Sequence, residues 1–423
     1  MKKYDNYKDS GIEWIGEIPE HWISIPMRFL LRQKITDGPH ETPQFIAEGI
    51  PFLSVDGIQN GELVFEGCRK ISEEDHSRYK QKCVVEKQDI LMGKAASVGK
   101  VAQVKVDFEF SIWSPLALLK PNHNKITSAY FEYFLKSTYA KDNANILSTF
   151  NTQQNISMTD IPRIYYIIPN SIEEQTAIAH YLDRKTAEID ELIADKKRLL
   201  ELYNEEKTAI INQAVTKGIN PNVPMKDTGI EWLGEIPEHW EVKRFKYYFE
   251  LITEKLEEDL PKIGLENIES KSGKFIETDS DFAGQGIRFK PKDILFGKLR
   301  PYLAKVWLAD FDGQAVGDFY VFRSNNTVHP AFAQYRILDS SFIEVTNNST
   351  YGSKMPRVNW EFIADLPIAF PNAQEQKTIV HHIETECTHI DSKIQATKKL
   401  IDLLTEYRTA LISEVVTGKI KVT

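Results

Sequence analysis

Cysteine is scarce in this chain. Cys68, Cys83 and Cys387 are the only three in 423 residues. None forms a CxxC or stands beside histidine at zinc-finger spacing, so neither a disulfide framework nor a structural zinc site is expected. Long apolar runs are also missing. The longest, such as LPIAF at 366–370, fall far short of the roughly 18–20 residues needed to cross a bilayer. The basic start MKKYDNYKDSG is followed by no apolar stretch that could act as a leader. A cytoplasmic chain without membrane attachment is expected. Positive charge is in deficit: 52 basic against 61 acidic side chains leave −9, which argues against nucleic-acid binding by the chain as a whole. The remaining composition, 42% hydrophobic, 27% charged and 11% aromatic, is that of a folded protein. At about 150 residues per domain the length accommodates two to four domains.

What the sequence has is repetition. DSGIEWIGEIPEHW at 9–22 returns as DTGIEWLGEIPEHW at 227–240, identical at twelve of fourteen positions. A longer segment, 171–216, aligns without gaps to 372–417 with roughly a third of positions identical. The order is short motif, variable region, long segment, and then the same three again. The boundaries expected from it are short motifs at 1–22 and 220–240, variable domains at 23–170 and 241–371, and long segments at 171–219 and 372–423.

The long segments contain no Pro or Gly over 173–217 and 374–417 and are rich in Glu, Lys, Leu, Ala and Ile, a composition that favours helix. Apolar residues recur at spacings of three and four: Ile178, Leu182, Ile189, Leu192, Leu199, Tyr203 and Ile210 in one copy, and Ile379, Ile383, Ile390, Leu400, Leu404 and Leu411 in the other. A helix of about 45 residues is roughly 65 Å long, more than a compact domain buries, so each helix calls for another as its partner. Lys185, Lys196, Glu386 and Lys393 interrupt the stripes and predict an imperfect coiled-coil-like pair. The variable regions carry short apolar runs broken by Gly and Pro, which read as strands and turns. DILMGK at 89–94 answers DILFGK at 293–298. The expected fold is an α/β (α+β) tandem repeat, with two globular domains separated by two long antiparallel helices in a pseudo-twofold, nearly circular order.

The doubled GIEWxGEIPEHW, the Glu174-Gln175 and Glu375-Gln376 pairs that open the long segments, the GKLRPYLAKV stretch at 297–306 and the two-copy order make the whole chain resemble the specificity subunit of a Type I restriction-modification system. The resemblance implies that each variable region is a target recognition domain for one half of a split double-stranded DNA site. It implies that the helices space the halves and dock two methyltransferase subunits, which two restriction subunits then join. Adenine would be the methylated base, and S-adenosylmethionine, ATP and magnesium would belong to the partners. A tethered pair of diverged domains independently suits a ligand with two sub-sites. The alternative is a degenerate scaffold or decoy that binds partners without reading sequence.

Chemistry of the chain's own is not indicated. No Pro-Pro occurs anywhere, so the Asn/Asp-Pro-Pro-aromatic motif of an adenine methyltransferase is missing. GKAASVGKV at 93–101 separates its glycines by five residues, where a phosphate-binding loop has four, and Val101 stands where Ser or Thr would meet magnesium. His381, His382, Cys387 and His389 do not fall at metal-ligand spacing on one helix face. Neither cofactor nor metal is expected in this chain.

The charge objection weakens region by region. Residues 23–165 carry 17 basic and 16 acidic side chains and 241–366 carry 17 and 19, so the variable domains are close to neutral and local clusters can still face DNA. Candidates are Lys94 and Lys100 around a small-residue tip, and Lys298, Arg300 and Tyr302 in GKLRPYLAK. Gln153, Gln154 and Asn155 in STFNTQQNIS, and Lys354 and Arg357 in STYGSKMPRVN, complete the set. Amides can read adenine edges and arginine can engage guanine. Trp14, Trp22, Trp232 and Trp240 sit in a near-identical repeat and cannot tell two different half-sites apart. They, with Glu174, Gln175, Glu375 and Gln376, are expected to be packing anchors or a partner surface.

Overall fold

The computed structural model describes residues 2–422 apart from 96, 151–153, 256–259, 279–281, 283 and 353. The chain divides into two units, residues 1–197 with 399–423, and residues 198–398.

In the first unit a four-stranded antiparallel sheet runs in the order Val101–Gln103, Ile90–Gly93, Leu116–Leu119, Thr36–Asp37. Its two central strands are buried at every position, which is why ILMG and LALL read as unbroken apolar runs rather than alternating ones. Beside it lie α1 (Glu73–Lys80), α2 (Ser128–Lys136) and α3 (Thr138–Ile146). Each starts on a hydroxyl: Ser72, Thr127 and Ser137 accept the backbone N–H of Asp75, Tyr130 and Ala140, satisfying a donor that the first turn would leave orphaned. Tyr166 stacks on Phe134 at 4.4 Å between ring centres. Strand Tyr165–Pro169 pairs antiparallel with Trp22–Pro26, setting Trp22 opposite Pro169, and leads directly into α4 (Ile172–Lys217), a single helix of 46 residues.

The second unit repeats this plan. Its sheet runs Val306–Leu308, Ile294–Gly297, Phe319–Ser324, Phe249–Ile252, flanked by α5 (Pro330–Leu338), α6 (Ser340–Asn348) and α7 (Trp360–Asp365). Strand Pro367–Phe370 pairs with Glu241–Arg244 and precedes α8 (Ala373–Val416), of 44 residues. The two units differ in their small three-stranded sheets. The central strand is Ile50–Leu53 in the first and Gly313–Ala315 in the second.

Both long helices are shared between the units. Within the first, Ile178, Leu182 and Ile189 of α4 share a core with Leu411, Ile412, Val415 and Val416 of α8, and Arg408 makes a two-pronged pair with Asp190 at 2.8 and 3.0 Å. Within the second, Val215 joins Ile379 and Ile383, and Lys207 reaches Asp391 at 2.7 Å. In each unit the start of one helix lies against the end of the other, so the pieces run antiparallel.

The apolar stripe departs from the expected one at two positions. Leu192 and Leu400 are exposed, while Ile193 and Ile401 are partly covered. Where two apolar residues are adjacent, spacings of three and four both fit, and burial of the flanking turns decides between them. Among the described residues Glu386 takes no ion pair, whereas Lys393 lies over the ring of Tyr203 at 5.8 Å. The expected circular order has a local counterpart inside the first unit. The Lys421 amide donates to the Lys2 carbonyl at 2.9 Å, and Tyr7 Oη donates to Gly418 O at 3.1 Å.

Candidate nucleic-acid interface

Ser171-x-x-Glu174 reads as a capping box, in which the glutamate would fold back onto its own helix start. Ser171 Oγ does accept the Glu174 amide at 3.2 Å, but the carboxylate is drawn to the repeated motif instead. Glu174 accepts Trp22 Nε1 at 3.2 Å and Tyr4 Oη at 2.9 Å, and contacts His21 Nε2 at 3.0 Å. The second unit does the same: Glu375 accepts Trp240 Nε1 at 3.1 Å and contacts His239 Nε2 at 2.7 Å. Gln175 and Gln376, both buried, staple each long helix to its domain. Gln175 Nε2 donates to Lys125 O and Pro169 O while its Oε1 accepts Thr127 N. Gln376 donates to Thr327 O and Pro371 O and accepts His329 N. Trp22 and Trp240 are fully buried. Trp232 is half-covered and lies over buried Arg336 at 5.1 Å. Its counterpart Trp14 is 48% exposed.

The aspartate of each DILxGK is a latch that sequence reasoning did not single out. Asp89 accepts the Glu86 amide and pairs with Lys120 at 2.8 Å. Asp293 accepts the Lys290 amide and pairs with Arg323 at 2.6 Å. Lys120 directly follows Leu116–Leu119, and Arg323 lies near the end of the equivalent strand Phe319–Ser324. Burial raises the Asp89 carboxyl above its ordinary range despite Lys120 and the Glu86 amide, whereas hydrogen bonds from Lys120 and Arg32 lower that of Glu86.

Beyond the latch, two loops that are distant in sequence meet in each unit. In the first, Ala95 bridges Asn155, and the Ile156 amide donates to Lys94 O at 2.9 Å. In the second, Leu299 bridges Arg357, the Val358 amide donates to Lys298 O at 3.2 Å, and the Arg300 amide donates to Pro356 O at 2.8 Å. The turn after DILxG is thereby tied to a hairpin, closed by the Thr149–Asn155 pair in one unit and the Tyr351–Arg357 pair in the other.

The shared scaffold carries different tips. In the first unit Lys94 turns inward to Asp37 at 3.1 Å with its side chain only 12% exposed, and Lys82 and His40 approach the same carboxylate at 2.6 and 3.2 Å. Burial works against the Asp37 charge, but the two lysines outweigh it and hold the carboxyl below its usual range. Lys100 and Asn155 are exposed, and Gln154 donates to Asn145 Oδ1 at 2.7 Å. Gln153 lies outside the described residues. In the second unit Lys298 sits over the Tyr320 ring at 5.2 Å, and Arg357 makes a two-pronged pair with Asp318 at 3.0 and 2.9 Å, which raises its pKa. Arg300, Lys354, Tyr302 and Tyr351 are exposed. Among the described residues no group of three His, Cys, Asp or Glu side chains could hold a metal ion, and no helix is long and apolar enough to cross a membrane.

A duplicated scaffold with two diverged loop surfaces defines a protein with two related but unequal candidate binding surfaces. Comparison with known proteins gives the particular kind. The model of the Type I restriction modification DNA specificity domain matches twice, over residues 44–202 and 237–406, and the chain belongs to that family. It is a DNA sequence-specificity subunit and not a catalytic one. The putative type I restriction enzyme MjaX specificity subunit of Methanocaldococcus jannaschii is 24% identical, over 99% of this chain and 98% of its own length. The type I restriction enzyme EcoDI specificity subunit of Escherichia coli is 26% identical, over 55% of this chain and 57% of its own length. Among solved structures, the HsdS subunit from Thermoanaerobacter tengcongensis superposes with a TM-score of 0.58 at 12% identity, covering 95% of this chain and 98% of that one. A chain from a type I R-M system complex gives 0.68 at 10% identity, covering 95% and 99%. At those identities the likeness shows the fold.

Proposed function

We propose that each unit reads one half of a split double-stranded DNA target through its joined turn and hairpin, directing adenine methylation, and restriction, by partner subunits. The observation that carries this is the matched pair of bridges, Ala95 to Asn155 and Leu299 to Arg357. They present amides in one unit and cations with tyrosines in the other on the same framework. Equal frameworks with unequal tips suit two unequal half-sites, because base edges are told apart by the donors and acceptors offered to them.

The repeated short motif is assigned to partners. Glu13, Glu17 and Glu20 and their counterparts Glu231, Glu235 and Glu238 are all exposed, and this charge repels phosphate. A surface given twice suits two copies of one partner, and we assign it to two methyltransferase subunits, with exposed Trp14 at its edge. Two restriction subunits follow from the family resemblance. S-adenosylmethionine, ATP and magnesium belong to those partners.

The test is co-expression of the chain with its modification subunits and single-molecule sequencing of the cellular DNA. Two short specified halves around a fixed gap are expected, with adenine methylated. Methylation at one continuous short motif contradicts the proposal. Assembly of the complex without any motif favours the decoy.

A further inference from the structure

The second unit's loop surface carries four of the cations expected to meet DNA, and their surroundings separate them. Lys298 rests on the Tyr320 ring, whose hydroxyl is itself fixed to Val358 O at 3.2 Å. Arg357 is committed to Asp318 by both prongs of its guanidinium. Both shape the loop. Arg300 and Lys354 remain. Each is exposed, and neither makes a side-chain hydrogen bond or ion pair among the described residues.

Arg300 has a further distinction in its backbone. It holds φ 50° and ψ 65°, the left-handed region, which L side chains other than Asn and Asp seldom enter. It also precedes Pro301, and a residue before proline favours extended backbone. Such a conformation persists only where the surroundings impose it, and here they do. The Arg300 amide donates to Pro356 O at 2.8 Å, its carbonyl accepts Leu303 N at 2.9 Å, and the neighbouring Leu299 is bridged to Arg357. The Cα–Cβ direction of Arg300 is therefore set by the scaffold before any ligand arrives. A phosphate contact, tolerant of angle, does not require this. A base-edge contact does, because both N–H groups must lie in the plane of one base.

We propose that Arg300 reads a guanine, through O6 and N7 in the major groove, in the half-site assigned to the second unit. The proposal rests on the reading of the chain as a two-part DNA reader and adds the base and the residue. The guanidinium is planar, permanently charged and forked, and it matches the two acceptors of guanine. Lys354, a compact charge on a flexible stem, is the phosphate contact beside it. After DILMGK the first unit's sequence runs Ala95, Ala96, Ser97, where DILFGK is followed by Leu299 and Arg300. No arginine stands in that turn of the first unit's sequence, so this guanine contact belongs to one half-site only.

The test uses the full chain with its modification subunits and compares wild type with Arg300→Gly, Arg300→Lys and Lys354→Ala. Glycine accepts positive φ without strain, so Arg300→Gly removes the guanidinium while leaving the turn intact. Wild type is expected to methylate a split motif with an obligatory G·C pair in one half. Arg300→Gly and Arg300→Lys should relax that one position, losing about 5- to 150-fold discrimination there, with the other half unchanged. The salt dependence of binding should stay as in wild type. Lys354→Ala should weaken all sequences alike and reduce the salt slope by about 1. If Arg300→Gly instead weakens all sequences alike and reduces the salt slope, the contact is to phosphate and the assignment is overturned. An unchanged motif overturns the Arg300 assignment alone. A wild-type chain that directs no split motif overturns the two-part reading as well.

Discussion

Replacing Gln376 by alanine should destabilise the second unit severely, although the residue touches no candidate DNA loop. Its side chain is 1% exposed and makes three hydrogen bonds, to Thr327 O at 3.0 Å, to Pro371 O at 2.8 Å and from His329 N at 2.6 Å. Alanine leaves two carbonyls and one amide without that partner. The Pro371 bond is buried and the other two partly so. An unsatisfied buried group costs about 1–3 kcal/mol, and the lost side-chain volume adds a cavity cost. With two of the groups partly open to water, the sum is roughly 3–5 kcal/mol. For a unit of this size that corresponds to a fall in Tm of about 6–20 °C, readable by calorimetry on the full chain. Gln376→Glu separates hydrogen bonding from packing. It keeps the volume but replaces the donating nitrogen by one oxygen that faces two carbonyls, so it should be no milder than alanine. Gln175 makes the equivalent three bonds with different residues, so the two substitutions should add within about 0.5 kcal/mol. A loss below about 1 kcal/mol for Gln376→Ala, or full stability in Gln376→Glu, would refute the reasoning.

Three further outcomes follow from the geometry. Glu375→Ala strands the indole N–H of buried Trp240, and should lower stability by about 1–3 kcal/mol in denaturant unfolding; an unchanged midpoint would deny that the carboxylate serves the tryptophan. The Arg408–Asp190 pair is two-pronged, but Asp190 is about half exposed, so a double-mutant cycle should return only about 0.2–1 kcal/mol of coupling, and more than 2 kcal/mol would contradict a surface pair. Asp37 has its folded pKa below the ordinary 3.8. Its stabilising contribution is therefore complete above that pH and lost as pH falls from 3.8 through the lower folded value. Asp37→Asn should flatten that part of an acid-unfolding curve, and a curve of unaltered steepness would show that the carboxylate is not depressed.

The architecture was legible in the sequence because duplication exposes it. Two gapless copies of a segment without Pro or Gly predict two helices, and those of 46 and 44 residues are present. The details that escaped depend on partners far along the chain. Lys94 and Lys298 follow the same DILxG and look alike in sequence, yet one meets Asp37 and the other the ring of Tyr320. Nothing within several residues of either signals this. Leu192 and Leu400 fit the apolar spacing and are nevertheless exposed, because mixed spacings do not choose between neighbouring apolar residues. Glu174 offered a clearer hint. A capping-box glutamate following a repeated tryptophan could have suggested the indole as its partner, since a buried Trp N–H needs an acceptor.

The same comparison separates what duplication kept from what it released. Glu174 with Trp22, Gln175 with its three backbone partners and Asp89 with Lys120 all recur in the second unit, as Glu375 with Trp240, Gln376 with its own three and Asp293 with Arg323. These contacts fix the strand that enters each long helix and the strand that ends in the candidate loop, so they set where the loop stands without deciding what it offers. The bridges between turn and hairpin recur as well, and the two units part company in the side chains carried there: Lys94 is held by Asp37 and Arg357 by Asp318, while Lys100, Asn155, Arg300 and Lys354 are exposed. Side chains free of a structural duty can change one by one without unfolding the scaffold. That is the physical condition under which a half-site preference could be altered by substitutions at the turn and hairpin alone.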